Sequence, residues 1–154
     1  DKVGVNGADN VIFTLRSNLG QQPQPLAKIA SGGELSRISL AIQVLTSDQS
    51  AIPTLIFDEV DVGISGKTAS VVGKLLRQLS ERCQVLCVTH LPQVAVMASK
   101  QYVVSKTEEH NALPVTSLTE VSGTQREEEI ARMLSGSITE ASLAHAHELL
   151  SEAR

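Results

Sequence analysis

A chain of 154 residues with 42% apolar side chains has the length of one compact unit and enough apolar surface to bury a core, which excludes wholesale disorder. No apolar run reaches the ~18 residues that a bilayer span requires, and the first residues are mixed and polar, unlike a signal peptide. A balance of 13 Lys and Arg against 17 Asp and Glu, net −4, excludes a strong electrostatic clamp on nucleic acid in this segment, while leaving DNA contact open elsewhere in a larger protein.

The aromatic residues are Phe13, Phe57 and Tyr102, with no Trp, so Ile, Leu, Val and Ala must build the core. That suits helices layered on a sheet. Cys83 and Cys87 are the only cysteines, which excludes a disulfide framework and reads as free thiols in a reducing cytoplasm. A Cys-x3-Cys zinc half-site is the sharper alternative, but it lacks a second cysteine pair. The chain begins at Asp1, as a piece of a longer protein would.

In chain order, Val11, Phe13 and Leu15 alternate on one face and predict a strand over residues 10–16. Gly20, Pro23 and Pro25 predict a loop over 17–30. Leu35, Ile38, Ile42 and Leu45 recur at helical spacing and predict an amphipathic helix from Glu34 to Leu45. Residues 46–53 are polar and end in Pro53; Thr54-Leu55-Ile56-Phe57 then reads as a strand buried in a parallel sheet. Val72, Leu75, Leu76 and Leu79 mark a helix over about 66–81, and Val85-Leu86-Cys87-Val88 a second buried strand. Strand, helix and strand within about 35 residues form a βαβ unit, whose parallel strands end at one edge.

After Pro92, the residues Val94, Met97 and Ala98 predict a short helix, followed by a strand at Tyr102-Val103-Val104. A turn at 111–114 and a further strand near 115–121 come next. Thr124 with Glu127 reads as a capping box opening a helix through Met133, and a last helix spans about 139–152.

Three polar clusters interrupt this scaffold. Ser31-Gly32-Gly33-Glu34 stands directly before the first helix, where unpaired N–H groups and the helix dipole attract anions and glycines admit a phosphate closely. An ordinary Ser N-cap after a loop has the same look. Asp58-Glu59 closes an apolar strand, where one carboxylate can hold Mg2+ and the other can orient and deprotonate a water; solvated acids are also common at strand ends. Thr89-His90 ends the second strand at the same edge, placed for a terminal phosphate or for simple capping. His110, His145 and His147 read as loop and helix-surface residues, His147 packing against Leu143 and Leu150. Gly66-Lys67-Thr68 imitates the end of a phosphate-binding loop, Gly-x4-Gly-Lys-Ser/Thr, but Asp61 occupies the position of the first glycine. Gly66 is therefore read as a helix-start glycine and Lys67 as solvated.

Ser-Gly-Gly-Glu, an apolar strand ending in Asp-Glu and a strand ending in His, in that order, resemble the C-terminal half of an ABC-type ATPase head, in its SMC-like DNA-repair branch. The stretches that carry the resemblance are Ala30-Ser31-Gly32-Gly33-Glu34-Leu35-Ser36-Arg37 (signature motif), Ile56-Phe57-Asp58-Glu59-Val60-Asp61-Val62-Gly63-Ile64-Ser65-Gly66 (Walker B strand and following loop) and Val88-Thr89-His90-Leu91-Pro92-Gln93-Val94-Ala95 (switch histidine). The tail Glu129-Ile130-Ala131-Arg132-Met133-Leu134 fits as well.

The resemblance implies an α/β fold of the three-layer P-loop NTPase type, with residues 1–154 forming the C-terminal lobe of a head, a mostly parallel sheet flanked by helices. It implies that the P-loop lobe and coiled coil are absent from this chain, so that the segment alone is inactive. It further implies ATP and Mg2+ as cofactors, Asp58 on Mg2+, Glu59 as catalytic base and His90 at the γ-phosphate. Ser31, Gly32, Gly33 and Glu34 would meet the ATP held by a second copy of the head, and Ser65 stands where many ABC proteins place an inter-head aspartate. The implied role is recombinational repair of DNA double-strand breaks by a cytoplasmic, nucleoid-associated homodimer that engages DNA and no membrane. Another SMC- or ABC-class head fragment, or a non-catalytic head-dimerisation lobe, are the alternatives; intact Asp58, Glu59 and His90 speak against the last.

Overall fold

The computed structural model describes residues 3–5, 7–16, 19–28, 31–46, 52–107 and 114–153. Ala30, His110, the turn at 111–113 and residues 47–51 of the polar linker, all read above from sequence, lie outside the described residues. The element order is β1 (Thr14–Leu15), β2 (Gln24–Pro25), a 3-10 turn (Leu26–Lys28), α1 (Gly32–Thr46), β3 (Thr54–Phe57), α2 (Gly66–Ser80), β4 (Gln84–Cys87), α3 (Pro92–Ala95), β5 (Gln101–Thr107), β6 (Val115–Val121), α4 (Gly123–Ser135) and α5 (Glu140–Glu152). No helix among the described residues is long and apolar enough to cross a membrane.

The α/β class and the βαβ unit hold. β3 and β4 run parallel, in register from Thr54 opposite Gln84 to Phe57 opposite Cys87, with α2 as the crossover. The expected mostly parallel sheet reduces, among the described strands, to this one pair. β1–β2 and β5–β6 are antiparallel ladders, the second running from Gln101 opposite Val121 to Thr107 opposite Val115.

Two apolar cores form among the described residues. Leu40 of α1, Phe57 of β3, Val60, the α2 residues Ala69, Val72, Leu76 and Leu79, and Val94 of α3 form the first. Ala95 and Val96 meet Ile130 and Ala131 of α4 and Ala146 of α5 in the second. Gly73 permits the contact of α2 with α3, since a Cβ there would lie 2.9 Å from the Gln93 carbonyl oxygen and 3.3 Å from Val94 Cα. Across the second core, the Arg126 guanidinium donates to the carbonyls of Ala95, Val96 and Ala98, tying α4 to the end of α3.

Several local expectations are corrected. The strand over 10–16 contracts to Thr14–Leu15; Val11 and Phe13 of the alternating face are exposed and only Leu15 is partly buried. The loop after it contains β2 and the 3-10 turn. β3 and β4 are buried on one face only: Phe57 packs into the first core, while Ile56 and Leu86 point to the uncovered side with Val88 just beyond. Continuous apolarity reports what a strand is suited to, and burial needs cover on both faces.

The capping box expected at Thr124 is absent. α4 starts at Gly123 after Ser122, so the N-cap position falls two residues before Thr124, with no side-chain cap. The reciprocal box is at Thr139 and Ser142, opening α5. His147 turns out to solvent, with Nδ1 3.1 Å from the Glu127 carboxylate, instead of packing between Leu143 and Leu150.

Candidate functional site

The site begins with the loop that follows β3. Val60 is fully buried in the first core and Asp61 is 2% exposed, so the loop is nailed down directly behind the two acids. Val62 N–H donates to the Glu59 carbonyl at 3.1 Å, closing a tight turn. Within that turn Glu59 has φ +59°, the left-handed region, and is the only non-glycine residue with positive φ among the described residues. For a side chain with a Cβ this conformation costs roughly 1–2 kcal/mol, and it persists because Val60 and Asp61 fix the backbone behind it. Asp58 and Glu59 are both exposed, and one Asp58 oxygen accepts the Glu59 N–H at 2.9 Å.

Helix α1 runs back along the core so that its N-terminus reaches this loop. Ser31 acts as its cap: its carbonyl accepts Leu35 N–H at 3.1 Å, and its hydroxyl oxygen accepts Glu34 N–H at 3.4 Å. The capping reading and the anion reading are compatible, since an accepting hydroxyl keeps its own proton to donate. The two glycines are required by close approach. A Cβ on Gly32 would lie 2.5 Å from Glu59 Oε2, and one on Gly33 would lie 2.9 Å from the Val62 carbonyl oxygen and 3.1 Å from that of Glu59. The Glu59 carboxylate therefore rests over the first turn of α1, within the same chain.

Two residues of α1 without an assigned role in the sequence hold this junction. Ser36 donates to the Asp58 carbonyl at 2.9 Å, and the Arg37 guanidinium donates to the carbonyls of Val62 at 2.8 Å and Val60 at 3.3 Å. Both fall one turn into α1, at the spacing that faces the same side as Ser31–Gly33, which is the signal that would have found them.

The loop after β4 completes the site. Because β3 and β4 are parallel and in register, Val88 N–H continues the ladder to the Phe57 carbonyl at 3.0 Å, and the two loops leave the sheet side by side. Thr89 donates its hydroxyl to Asp61 Oδ2, as does the His90 N–H at 3.0 Å, and the His90 ring Nδ1 lies 3.3 Å from the same oxygen. Asp61, which from sequence carried no role beyond spoiling a phosphate loop and lying in the stretch after the acidic strand, is the hub of this contact. The Cys87 thiol just below is pushed up to about 12, by burial first and then by the negative charge of Asp61 and Asp58.

Ser65 is not part of this gathering. It occupies the N-cap position of α2, exposed, with no capping hydrogen bond from its side chain. Gly66 opens α2 and Lys67 is exposed, as the sequence indicates. Cys83 precedes the extended strand β4 and Cys87 ends it, about 13 Å apart along the chain at ~3.3 Å per residue, too far to share one zinc ion.

No group of three or more His, Cys, Asp and Glu side chains among the described residues forms a metal cage. Mg2+ is commonly held by one or two carboxylates with the remaining oxygens from phosphates and water. The exposed hard-oxygen donor Asp58 fits such a share of a Mg2+ site.

This geometry is carried by an α/β fold similar to that of a solved SMC ATPase structure. A solved structure concerned with ATP-driven dimerization and DNA-stimulated activation of SMC ATPases matches with a TM-score of 0.53, over 75% of this chain and 68% of that one, at 19% identity. In sequence the chain is similar to the DNA repair protein RecN. It is 76% identical over 151 residues to that of Haemophilus influenzae, 57% over 145 residues to that of Vibrio cholerae, and 44% over 146 residues to that of Halalkalibacterium halodurans. These matches take in 97%, 94% and 94% of this chain but 27%, 26% and 26% of the relatives, so the chain spans about a quarter of the length of the curated relatives it matches. No family model matches the chain.

Proposed function

We propose that residues 1–154 are the signature-motif, acidic-strand and histidine portion of an ATPase head. In the whole protein, ATP binding would close two such heads and hydrolysis would reopen them during recombinational repair of DNA double-strand breaks. One observation carries the reading: Ser31–Gly33 at the tip of α1, Asp58 and Glu59 after β3, and His90 after β4 lie at one edge of a parallel strand pair. That edge is where open α/β folds bind ligands. The repair role is supported by likeness to RecN, and the pairing of heads by the dimerizing SMC neighbour. Ile56, Leu86 and Val88, apolar and uncovered, support a larger head in which this face is packed.

On this reading Asp58 would hold Mg2+, whose chemistry is to neutralise charge on the transferring phosphate. Glu59 orients a water and takes its proton. His90 contacts the terminal phosphate, and Ser31, Gly32, Gly33 and Glu34 offer the α1 N-terminus to the nucleotide of the partner head. Ser65, exposed at the start of α2, would lie at the head–head contact. The chain contains no Gly-x4-Gly-Lys-Ser/Thr, so the main phosphate cradle would come from elsewhere in the whole protein. The test is Glu59→Gln in the full-length protein. ATP binding persists, turnover falls by at least ~10²-fold, and paired heads accumulate in size-exclusion chromatography with ATP. Unchanged turnover removes Glu59 from the role of base.

A further inference from the structure

Asp61 has no role in the reading above, yet it is the side chain that joins the two loops of the site. It is 2% exposed, and a buried carboxylate is costly unless its oxygens are paired. Its Oδ2 collects three groups from the loop after β4: the Thr89 hydroxyl, the His90 N–H at 3.0 Å and the His90 ring Nδ1 at 3.3 Å. Thr89 also accepts the Leu91 N–H at 3.1 Å, which fixes its hydroxyl between the loops. The His90 side chain is by contrast 70% exposed, and among the described residues its ring has Asp61 as its one polar contact.

An imidazole whose Nδ1 faces a carboxylate carries a proton on that nitrogen and turns Nε2 outward. A carboxylate in this place sets the orientation of a ring that solvent would otherwise leave free to rotate. It also ties the loop bearing Glu59 to the loop bearing His90.

We infer that Asp61 is a positioning residue for ATP turnover: it holds His90 with Nδ1 inward and Nε2 toward the phosphate. The inference rests on the ATPase-head reading. It differs from a purely structural role in predicting that the effect of Asp61 on turnover passes through His90.

The experiment compares Asp61→Ala, Asp61→Asn, His90→Ala and the Asp61→Ala/His90→Ala pair in the full-length protein, with Glu59→Gln alongside. Asp61→Ala lowers kcat by about 10- to 100-fold, the usual cost of losing such an orienting partner, with KM for ATP within about threefold. Asp61→Asn, whose amide oxygen can still accept from the His90 ring Nδ1–H, recovers most of the loss. Added to His90→Ala, Asp61→Ala costs less than about twofold more, because the two act as one unit. In the unsubstituted protein, nitrogen-15 shifts of the His90 ring show Nδ1 protonated, a readout that stands even where Asp61→Ala fails to fold.

Unchanged kcat in Asp61→Ala, losses that multiply with His90→Ala, no recovery in Asp61→Asn, or a ring with bare Nδ1 each overturn the inference. Full turnover in Glu59→Gln, or no ATP turnover in the unsubstituted protein, overturns the head reading and this inference with it. An inactive Glu59→Gln beside a fully active Asp61→Ala overturns the inference alone.

Discussion

Gly33→Ala adds one methyl group at the closest approach between α1 and the loop that carries the acids. The new Cβ would lie 2.9 Å from the Val62 carbonyl oxygen, 3.0 Å from Arg37 Nη1 and 3.1 Å from the Glu59 carbonyl oxygen. None of these neighbours can step aside cheaply. The two carbonyls belong to a loop whose Val60 and Asp61 are buried, and Arg37 is held by its hydrogen bonds to Val60 and Val62. Relief must come from α1 and the loop moving apart by a few tenths of an ångström. Overpacking of this kind costs about 1–3 kcal/mol. Alanine returns up to ~1 kcal/mol over glycine in a helix, less in the first turn. A net loss of about 1–2 kcal/mol remains. For a chain of this size that is a fall of roughly 2–8 °C in Tm, measurable by circular dichroism with a matching shift in urea midpoint. Equal or higher stability in Gly33→Ala would refute the close approach, because helix propensity would then act unopposed.

Gly32→Ala should behave in the opposite way. Its Cβ meets only the far end of the Glu59 side chain, at 2.5 Å from Oε2, so stability should change by less than ~0.5 kcal/mol, while on the proposed ATPase-head function ATP turnover of the full-length protein falls as Glu59 is displaced; unchanged turnover in a kinetic assay refutes this. Thr139→Ala removes the cap of α5 and should cost about 1 kcal/mol in urea unfolding, with no loss if Ser142 alone suffices. Cys87, whose thiol is pushed from 9.0 to about 12, should be alkylated by iodoacetamide at pH 8 about 10³-fold more slowly than an unshifted thiol; comparable rates by mass spectrometry would refute the shift. Folding raises this pKa, so the folded state keeps the proton that the unfolded state releases, and this group weakens stability as pH rises from 9.0 toward 12.

The sequence by itself determined the elements and the candidate chemistry. The α1, α2, β3 and β4 positions were legible because their apolar residues keep a period or run without break between Gly, Pro and polar punctuation. Ser31–Glu34, Asp58–Glu59 and His90 were legible because each polar cluster abuts the end of a regular element. What only the tertiary structure decided was which of these ends meet, and through what. Asp61 carries no periodic or compositional signal, Ser36 and Arg37 carry only their spacing one turn after Ser31–Gly33, and the roles of all three arise from contacts across 22 to 29 positions in sequence. Val11–Phe13 and the outer face of β3–β4 failed the opposite way, since alternation and apolarity state what a segment can bury against and not whether a partner is present. Thr124 with Glu127 has the capping-box pattern in sequence and does not cap, while Thr139 with Ser142 lacks the usual Glu or Gln and does, a choice made by the backbone geometry where each helix starts. Local propensity is a property of neighbouring residues; the pairing of the Glu59 and His90 loops through one buried carboxylate is a property of two parallel strands in register.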